Sequence, residues 1–224
     1  EAIIHAGAKN LCKVIVKWIH AEEINDDNVS KKLSGLSGVL VAPGFGDRGV
    51  EGKISTIKYV RENNIPFFGI CLGMQSAVIE YARNVLNLHE ANSSEMNTKT
   101  PHPVIDLMEE QKEVTEKGGT MRLGTYECSI DKNSNAFQAY KKKNISERHR
   151  HRFEYNNKYK TKLENSGLIS TGINPKNNLV EIIEIPTHPW FVGVQFHPEY
   201  KSTVANPHPL FIEFISACIE NKNN

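Results

Sequence analysis

Short apolar runs alternate with polar, turn-rich segments along most of the chain. Near-continuous apolar runs are typical of strands buried on both faces, and apolar residues three or four apart indicate helices. Strands are therefore predicted at residues 12–19, 38–42, 67–68, 121–130, 168–173, 180–185 and 191–196, the last two as a hairpin. Helices are predicted before Gly7, around residues 54–60, at 76–88 and 134–143, and after Pro209. Residues 92–119 are polar and are expected to form loops outside the core.

This order of elements predicts an α/β fold. We expect a three-layer sandwich with a mostly parallel central sheet, helices on both faces and an added small antiparallel hairpin. The whole span 1–224 is expected to be a single domain. Because the chain opens inside a helical pattern, we expect its first strand to be truncated.

Composition narrows the class of protein. Of 224 residues, 39% are hydrophobic and 24% charged, and the net charge of +1 gives no reason to expect a nucleic-acid or membrane partner. The four cysteines form no C-x-x-C pair, so neither a metal site nor a disulfide framework is expected. With no signal peptide or long apolar stretch, a cytoplasmic location is expected.

Cys71 carries the strongest chemical signal. It lies between an apolar run and a helical pattern, with Gly69 and Gly73 two residues away on either side. Glycines at these positions let a strand and a helix pack around a tight turn that presents a nucleophile, and the helix N-terminus favours a thiolate. We therefore predict an exposed nucleophilic cysteine. The alternative is a buried structural cysteine.

His197 and Glu199 are the candidate partners of Cys71. A predicted strand delivers His197 to a sheet edge, and Pro198 turns the chain so that the Glu199 carboxylate can orient the imidazole. The alternative is an ordinary strand-end histidine. Backbone N–H groups of Leu72 and Gly44 are the predicted oxyanion hole. The loop at Gly44 fits no phosphate-binding motif, and its alternative is a plain strand-to-helix turn.

Residues 43–52, 69–75 and 194–199 together resemble class I glutamine amidotransferase domains. Residues 91–95, 118–124 and 147–156 narrow the resemblance to the glutaminase domains of CTP synthases. The resemblance implies a flavodoxin-like fold and hydrolysis of L-glutamine by Cys71, His197 and Glu199 through a γ-glutamyl thioester. It also implies that the ammonia passes to a synthetase domain of the same parent chain, which aminates UTP to CTP.

The same resemblance implies that Gln75, Glu95, Arg152 and Phe153 bind the substrate. Glu95 would pair with its ammonium, Arg152 with its carboxylate, and Phe153 would offer backbone contacts. The charges of Glu95 and Arg152 agree with these roles, because binding a zwitterionic substrate requires one anion and one cation. The basic run around Arg152 is alternatively a solvated face or an RNA-binding patch. We expect some residues of this run to contact the synthetase domain or a nucleotide effector. The candidates are Arg148, His149 and Arg150.

Two departures from the family pattern are visible. The oxyanion loop reads Pro43-Gly44-Phe45 where the family usually has a second glycine, and Phe153 stands where tyrosine is common. No ATP-binding loop or UTP site is recognisable, so no cofactor is expected in this domain. The full enzyme is expected to use ATP and Mg²⁺, with GTP as effector, and to form a homo-oligomer. A free-standing γ-glutamyl cysteine hydrolase and a weakly active regulatory domain are the competing interpretations.

Overall fold

The computed structural model describes residues 1–107 and 121–223. The described strands are β1 (Val39–Val41), β2 (Phe67–Ile70), β3 (Ala91–Ser93), β4 (His102–Asp106), β5 (Arg122–Ile130), β6 (Asn144–His151), β7 (Glu154–Tyr155), β8 (Ile169–Ile173), β9 (Val180–Glu184) and β10 (Phe191–Val194). The described α-helices are α1 (Ala2–Lys9), α2 (Val29–Leu33), α3 (Val50–Glu62), α4 (Leu72–Asn84), α5 (Asn135–Tyr140), α6 (Lys160–Asn165) and α7 (Pro209–Asn223). No helix in these ranges has both the length and the apolar character needed to span a bilayer.

Seven strands form the main sheet, in the order β1-β2-β10-β9-β8-β5-β6. Strands β1, β2 and β10 are parallel, whereas every pairing from β10 to β6 is antiparallel. The α/β class is confirmed, but the sheet is mixed where a mostly parallel one was expected. The reason is that β9 and β10, and β5 and β6, are consecutive strands that pair directly, which requires an antiparallel return. The predicted hairpin thus lies inside the main sheet.

The core has one layer on each face of this sheet. Phe67 of β2 packs with α3 and α4 in one apolar cluster, and its neighbour Phe68 packs with Phe211 and Phe214 of α7 in the other. Successive strand residues point to opposite faces, so a strand covered on both sides must be apolar throughout. This confirms the three-layer arrangement and the prediction of continuous apolar strands.

The predicted strand at residues 12–19 is wrong. This segment has no regular secondary structure, and in the described part of the chain residues 13–19 form no backbone–backbone hydrogen bond. Ile15 and Trp18 are 84% and 86% exposed, although Val14 and Ile19 still touch the core. Apolar composition favours a strand only where a neighbouring backbone pairs with it, and here none does.

The polar excursion predicted at residues 92–119 is corrected in part. Strands β3 and β4 lie there and pair with β7 in a second, three-stranded sheet, and Ala91, Val104 and Ile105 are fully buried. The prediction failed because each strand offers only one or two apolar residues to the core. Residues 108–119 of the predicted excursion lie outside the described residues.

Candidate active site

Cys71 occupies a sharp turn between β2 and α4. Its backbone has φ 52° and ψ −104°, a conformation that residues other than glycine rarely adopt. A Cβ at Gly69 would lie 2.8 Å from the carbonyl carbon of Gly73, and one at Gly73 would lie 2.2 Å from the Val41 carbonyl oxygen. Only glycine fits at either position, so the predicted strand–turn–helix geometry is confirmed.

The Cys71 thiol is buried, contrary to the predicted exposed position. It is only 3% exposed, and it belongs to the apolar cluster on the α7 face of the sheet. Burial raises the pKa of the thiol to about 12, the Leu72 N–H lowers it, and the Glu199 carboxylate raises it further. The resting sulfur is therefore a neutral thiol at physiological pH, and nucleophilic attack requires a base.

His197 lies at the same edge of the sheet as Cys71. Strands β2 and β10 are parallel neighbours, and the Cys71 N–H donates to the Val194 carbonyl at 2.7 Å. His197 follows β10, its Nδ1 lies 2.7 Å from Glu199 Oε1, and its ring stacks on Tyr200 with centroids 5.0 Å apart. Its Nε2 is buried and hydrogen-bonded to no atom of the described residues. The imidazole is thus fixed from one side, with the other nitrogen uncommitted.

A cavity of about 550 Å³ opens beside Cys71. Its lining includes the predicted oxyanion-loop residue Gly44 and the four predicted substrate residues, Gln75, Glu95, Arg152 and Phe153. The N–H of Leu72, the second predicted oxyanion donor, hydrogen-bonds to the Cys71 sulfur. Leu72, His197 and Glu199 are not part of the cavity wall. The geometry thus brings the sulfur, one glycine of the predicted oxyanion loop and both charged residues predicted to bind substrate to one cavity.

The predicted substrate residues are tied to the loops around the cavity. Glu95 accepts a hydrogen bond from the Gly46 N–H at 3.3 Å, which links it to the oxyanion loop. The Gln75 amide donates to the Phe153 carbonyl at 3.0 Å. Arg152 faces the cavity with its Nε unpaired among the described residues. Two carboxylates, Glu95 and Asp106, and one guanidinium therefore share a cavity that contains a thiol.

Comparison with known proteins identifies the family. The model of the glutamine amidotransferase class-I family matches residues 1–217. The chain belongs to the class I glutamine amidotransferase family. A solved structure of the Trypanosoma brucei CTPS glutaminase domain with bound acivicin has a TM-score of 0.92 and 36% identity, over 98% of this chain and 86% of that one. The flavodoxin-like α/β fold is thereby confirmed.

Curated relatives carry the name CTP synthase. That of Flavobacterium johnsoniae is 64% identical over 219 residues, covering 98% of this chain and 41% of the relative. That of Bacteroides thetaiotaomicron is 56% identical over 224 residues, 100% of this chain and 42% of the relative. This amidotransferase domain therefore spans about two fifths of their length.

Behind the cavity of this amidotransferase lies a buried ion cluster that the sequence did not reveal. Arg122 of β5 donates to Glu154 at 3.1 Å and to Glu181 at 2.8 Å. Burial raises the pKa of Glu154 to about 8, and Arg122 lowers it. Removing the guanidinium would leave two buried carboxylates without compensation, so this cluster holds β5, β7 and β9 together.

Two neutral histidines connect this cluster to the cavity. Burial lowers the pKa of His149 to about 2 and that of His151 to about 3. His151 Nδ1 donates to the Phe153 carbonyl, so its Nε2 accepts from His149 Nδ1 at 2.8 Å. The alternating burial of β6 leaves Arg148 and Arg150 exposed and His149 buried. His149 therefore does not face a partner or effector, whereas the two arginines do face outward.

Two residues beside the thiol were missed by sequence reasoning. Gln195, fully buried, has its amide nitrogen 3.7 Å from Cys71 Sγ. Burial lowers the pKa of Lys53, and the neighbouring Cys71 opposes that shift. The sequence signal for Gln195 was a polar residue at the end of an otherwise apolar strand. No comparable signal marked Lys53. Within the described ranges, no cluster of three or more histidine, cysteine and acidic side chains is suited to a metal ion.

Proposed function

We propose that this domain hydrolyses L-glutamine to glutamate and ammonia, with Cys71 as nucleophile. The observation that carries the proposal is the shared cavity: Glu95 and Arg152 lie in the same wall as a cysteine in a strained nucleophile turn. A free amino acid has one ammonium and one carboxylate, which these two side chains match in charge.

In the proposed reaction His197 takes the proton of the Cys71 thiol, and the sulfur attacks the side-chain carbonyl carbon of glutamine. The carbon–nitrogen bond breaks, His197 returns the proton to the leaving ammonia, and a γ-glutamyl thioester remains. Water, deprotonated by His197, then attacks the thioester and releases glutamate and the thiol. Glu199 holds the imidazole and stabilises its charged form.

The backbone would stabilise the charge that develops on the carbonyl oxygen. The N–H groups of Gly44 and Leu72 are the proposed donors. A Cβ at Gly44 would lie only 3.2 Å from Leu72 Cδ2, so the loop approaches the turn closely. The loop has one glycine fewer than is usual in the family, but Gly44 retains the N–H that the role requires.

In the longer protein, we propose that the ammonia aminates ATP-activated UTP to give CTP. The support is the similarity to relatives named CTP synthase, of which this chain spans about two fifths. ATP, Mg²⁺ and a GTP effector would then act mainly through the synthetase region, and the active form would be a cytoplasmic homo-oligomer.

The direct test is selective labelling by a glutamine-mimicking electrophile. We expect Cys71 to be labelled and Cys12, Cys128 and Cys218 to be spared, as read by mass spectrometry of the digested protein. Ammonia release from glutamine should stop in proportion to the labelling. Equal labelling of all four cysteines would contradict the proposal, and turnover of γ-glutamyl peptides in preference to glutamine would favour the free-standing hydrolase.

A further inference from the structure

A glutamine side chain that the proposed mechanism does not use lies against the reacting sulfur. Gln195 follows β10 directly, and its backbone N–H donates to the Glu181 carbonyl at 2.9 Å, as a continuation of the β10–β9 ladder. Its side chain is fully buried, and its Nε2 lies 3.7 Å from Cys71 Sγ. A buried amide needs partners for both of its ends, so this contact is part of its hydrogen bonding.

The orientation of the Gln195 amide follows from its neighbours. The Phe153 carbonyl can only accept, so the group of Gln75 that faces it must be the NH₂. That same NH₂ lies 3.2 Å from the other end of the Gln195 amide, which must therefore be the carbonyl oxygen. The NH₂ of Gln195 is then the group that faces the sulfur. A flipped amide would place two donors against each other.

We propose that the Gln195 side chain donates a hydrogen bond to Cys71 Sγ and, held by Gln75, positions the sulfur for attack. The inference rests on the proposed glutaminase function of Cys71. It also links the nucleophile to the substrate side of the cavity, because Gln75 joins Gln195 to the Phe153 carbonyl.

The electrostatic surroundings give such a donor an important part. Three carboxylates disfavour the thiolate of Cys71: Glu199, Glu154 and Glu95. Besides Gln195, the Leu72 N–H also favours the charged sulfur. A hydrogen bond to an ionised group is about twice as strong as one between neutral groups, so the Gln195 contact strengthens when the thiol loses its proton.

The test is the rate of Cys71 alkylation by iodoacetamide, a neutral reagent that requires no glutaminase activity, at one mildly alkaline pH. At a pH well below the thiol pKa of about 12, this rate follows the thiolate fraction. In Gln195→Met we expect the rate to fall roughly ten- to a hundredfold, the value of a lost hydrogen bond to a charged group. Gln195→Glu, of equal size, replaces the donor by a carboxyl group and should also slow alkylation. For the same reason glutamine kcat should fall roughly ten- to a hundredfold, with a smaller change in KM.

Controls separate this role from a structural one. Gln138→Met changes an exposed glutamine whose side chain, within the described residues, hydrogen-bonds to Lys141 alone, and it should leave the Cys71 alkylation rate unchanged. Cys12 in the same digests reports any general loosening of the protein. If Gln195→Met fails to fold, the isosteric Gln195→Glu variant carries the test. A lower melting temperature with an unchanged Cys71 alkylation rate would overturn the proposal, whether or not the wild-type protein hydrolyses glutamine.

Discussion

The parallel half of the main sheet and its antiparallel half contribute to the candidate site in different ways. Strands β1, β2 and β10 are apolar throughout, and their carboxyl ends present Cys71, Gln195 and His197. Strands β9, β8, β5 and β6 bury charged and polar side chains, including Arg122 and His149, and lead to the proposed substrate residue Arg152. In the proposed function, the parallel half supplies the reactive group and the antiparallel half supplies one recognition residue, while Gln75 of α4 and Glu95 after β3 supply others.

The difference teaches which interactions fix each part. The position of Cys71 follows from local backbone geometry, namely two glycines and one strained residue. Arg152 lies between β6 and β7, and contacts between residues distant in sequence join β7 to β5 and β9. Changes in the parallel half should therefore alter the chemical step, and changes in the antiparallel half should alter stability and substrate binding.

The largest expected effect comes from comparing one buried cysteine of each half. Cys71→Ala should lower the glutaminase rate by at least about a thousandfold, because it removes the nucleophile itself. Cys128→Ala, in β5, should retain most of the activity. Ammonia release measures both variants, and circular dichroism checks that each is folded. Near-normal turnover by Cys71→Ala would refute the mechanism.

Arg122→Met tests the ion cluster of the antiparallel half. The change leaves Glu154 and Glu181 buried without a cation, so the free energy of unfolding should fall by about 3–5 kcal/mol. Urea denaturation measures the loss. Arg48→Met breaks a solvent-exposed pair with Glu22 and should change stability little. Equal effects of the two substitutions would show that the buried cluster has no special structural role.

Arg152→Met tests recognition. Loss of a charged hydrogen-bonding partner for the substrate carboxylate should raise KM for glutamine roughly ten- to a hundredfold, with a smaller change in kcat. Lys143→Met removes an exposed cation just before β6 and serves as the control in the same steady-state assay. A lower kcat with unchanged KM would place Arg152 outside the binding of glutamine.

The smallest effect concerns acid stability. The pKa of His151 is about 3 in the folded protein, against an ordinary value of 6.5. Between these values the unfolded chain binds more protons, so this histidine lowers stability as the pH falls. Glu154, whose pKa is raised, acts in the opposite direction and is present in wild type and variant alike. His151→Gln should reduce the acid loss by up to about 1.4 kcal/mol per pH unit.

Urea titrations at neutral and mildly acidic pH, in wild type and His151→Gln, measure this difference. The comparison is made within each protein, so any constant loss from the substitution cancels. Parallel pH curves for the two proteins would mean that His151 is not held neutral by burial.

The sequence predicted the reactive half of the site better than the binding half. The turn at Cys71 was predictable because a short motif determines it, and the strand that leads to His197 was predictable from its continuous apolar residues. The burial of Cys71 was not, since it depends on apolar side chains that are distant in sequence. The ion cluster around Arg122 was missed because charged residues are expected at the surface when no oppositely charged partner lies nearby in the sequence.

The same limit explains the error at residues 12–19. Their β-branched and aromatic residues favour a strand, but strand formation needs a partner backbone that a sequence run does not specify. The buried strands of the second sheet were missed for the converse reason. Their apolar residues are few, and pairing with neighbouring strands compensates for weak local preference.

The irregular segment at residues 12–19 has a practical consequence for anyone who purifies this domain. Leu11, Ile15 and Trp18 present large apolar side chains to solvent beside a backbone whose donors and acceptors are not used in a ladder. Surfaces of this kind attract identical surfaces on other molecules. Light scattering at increasing protein concentration should therefore reveal self-association, and a charged substitution at Trp18 should suppress it.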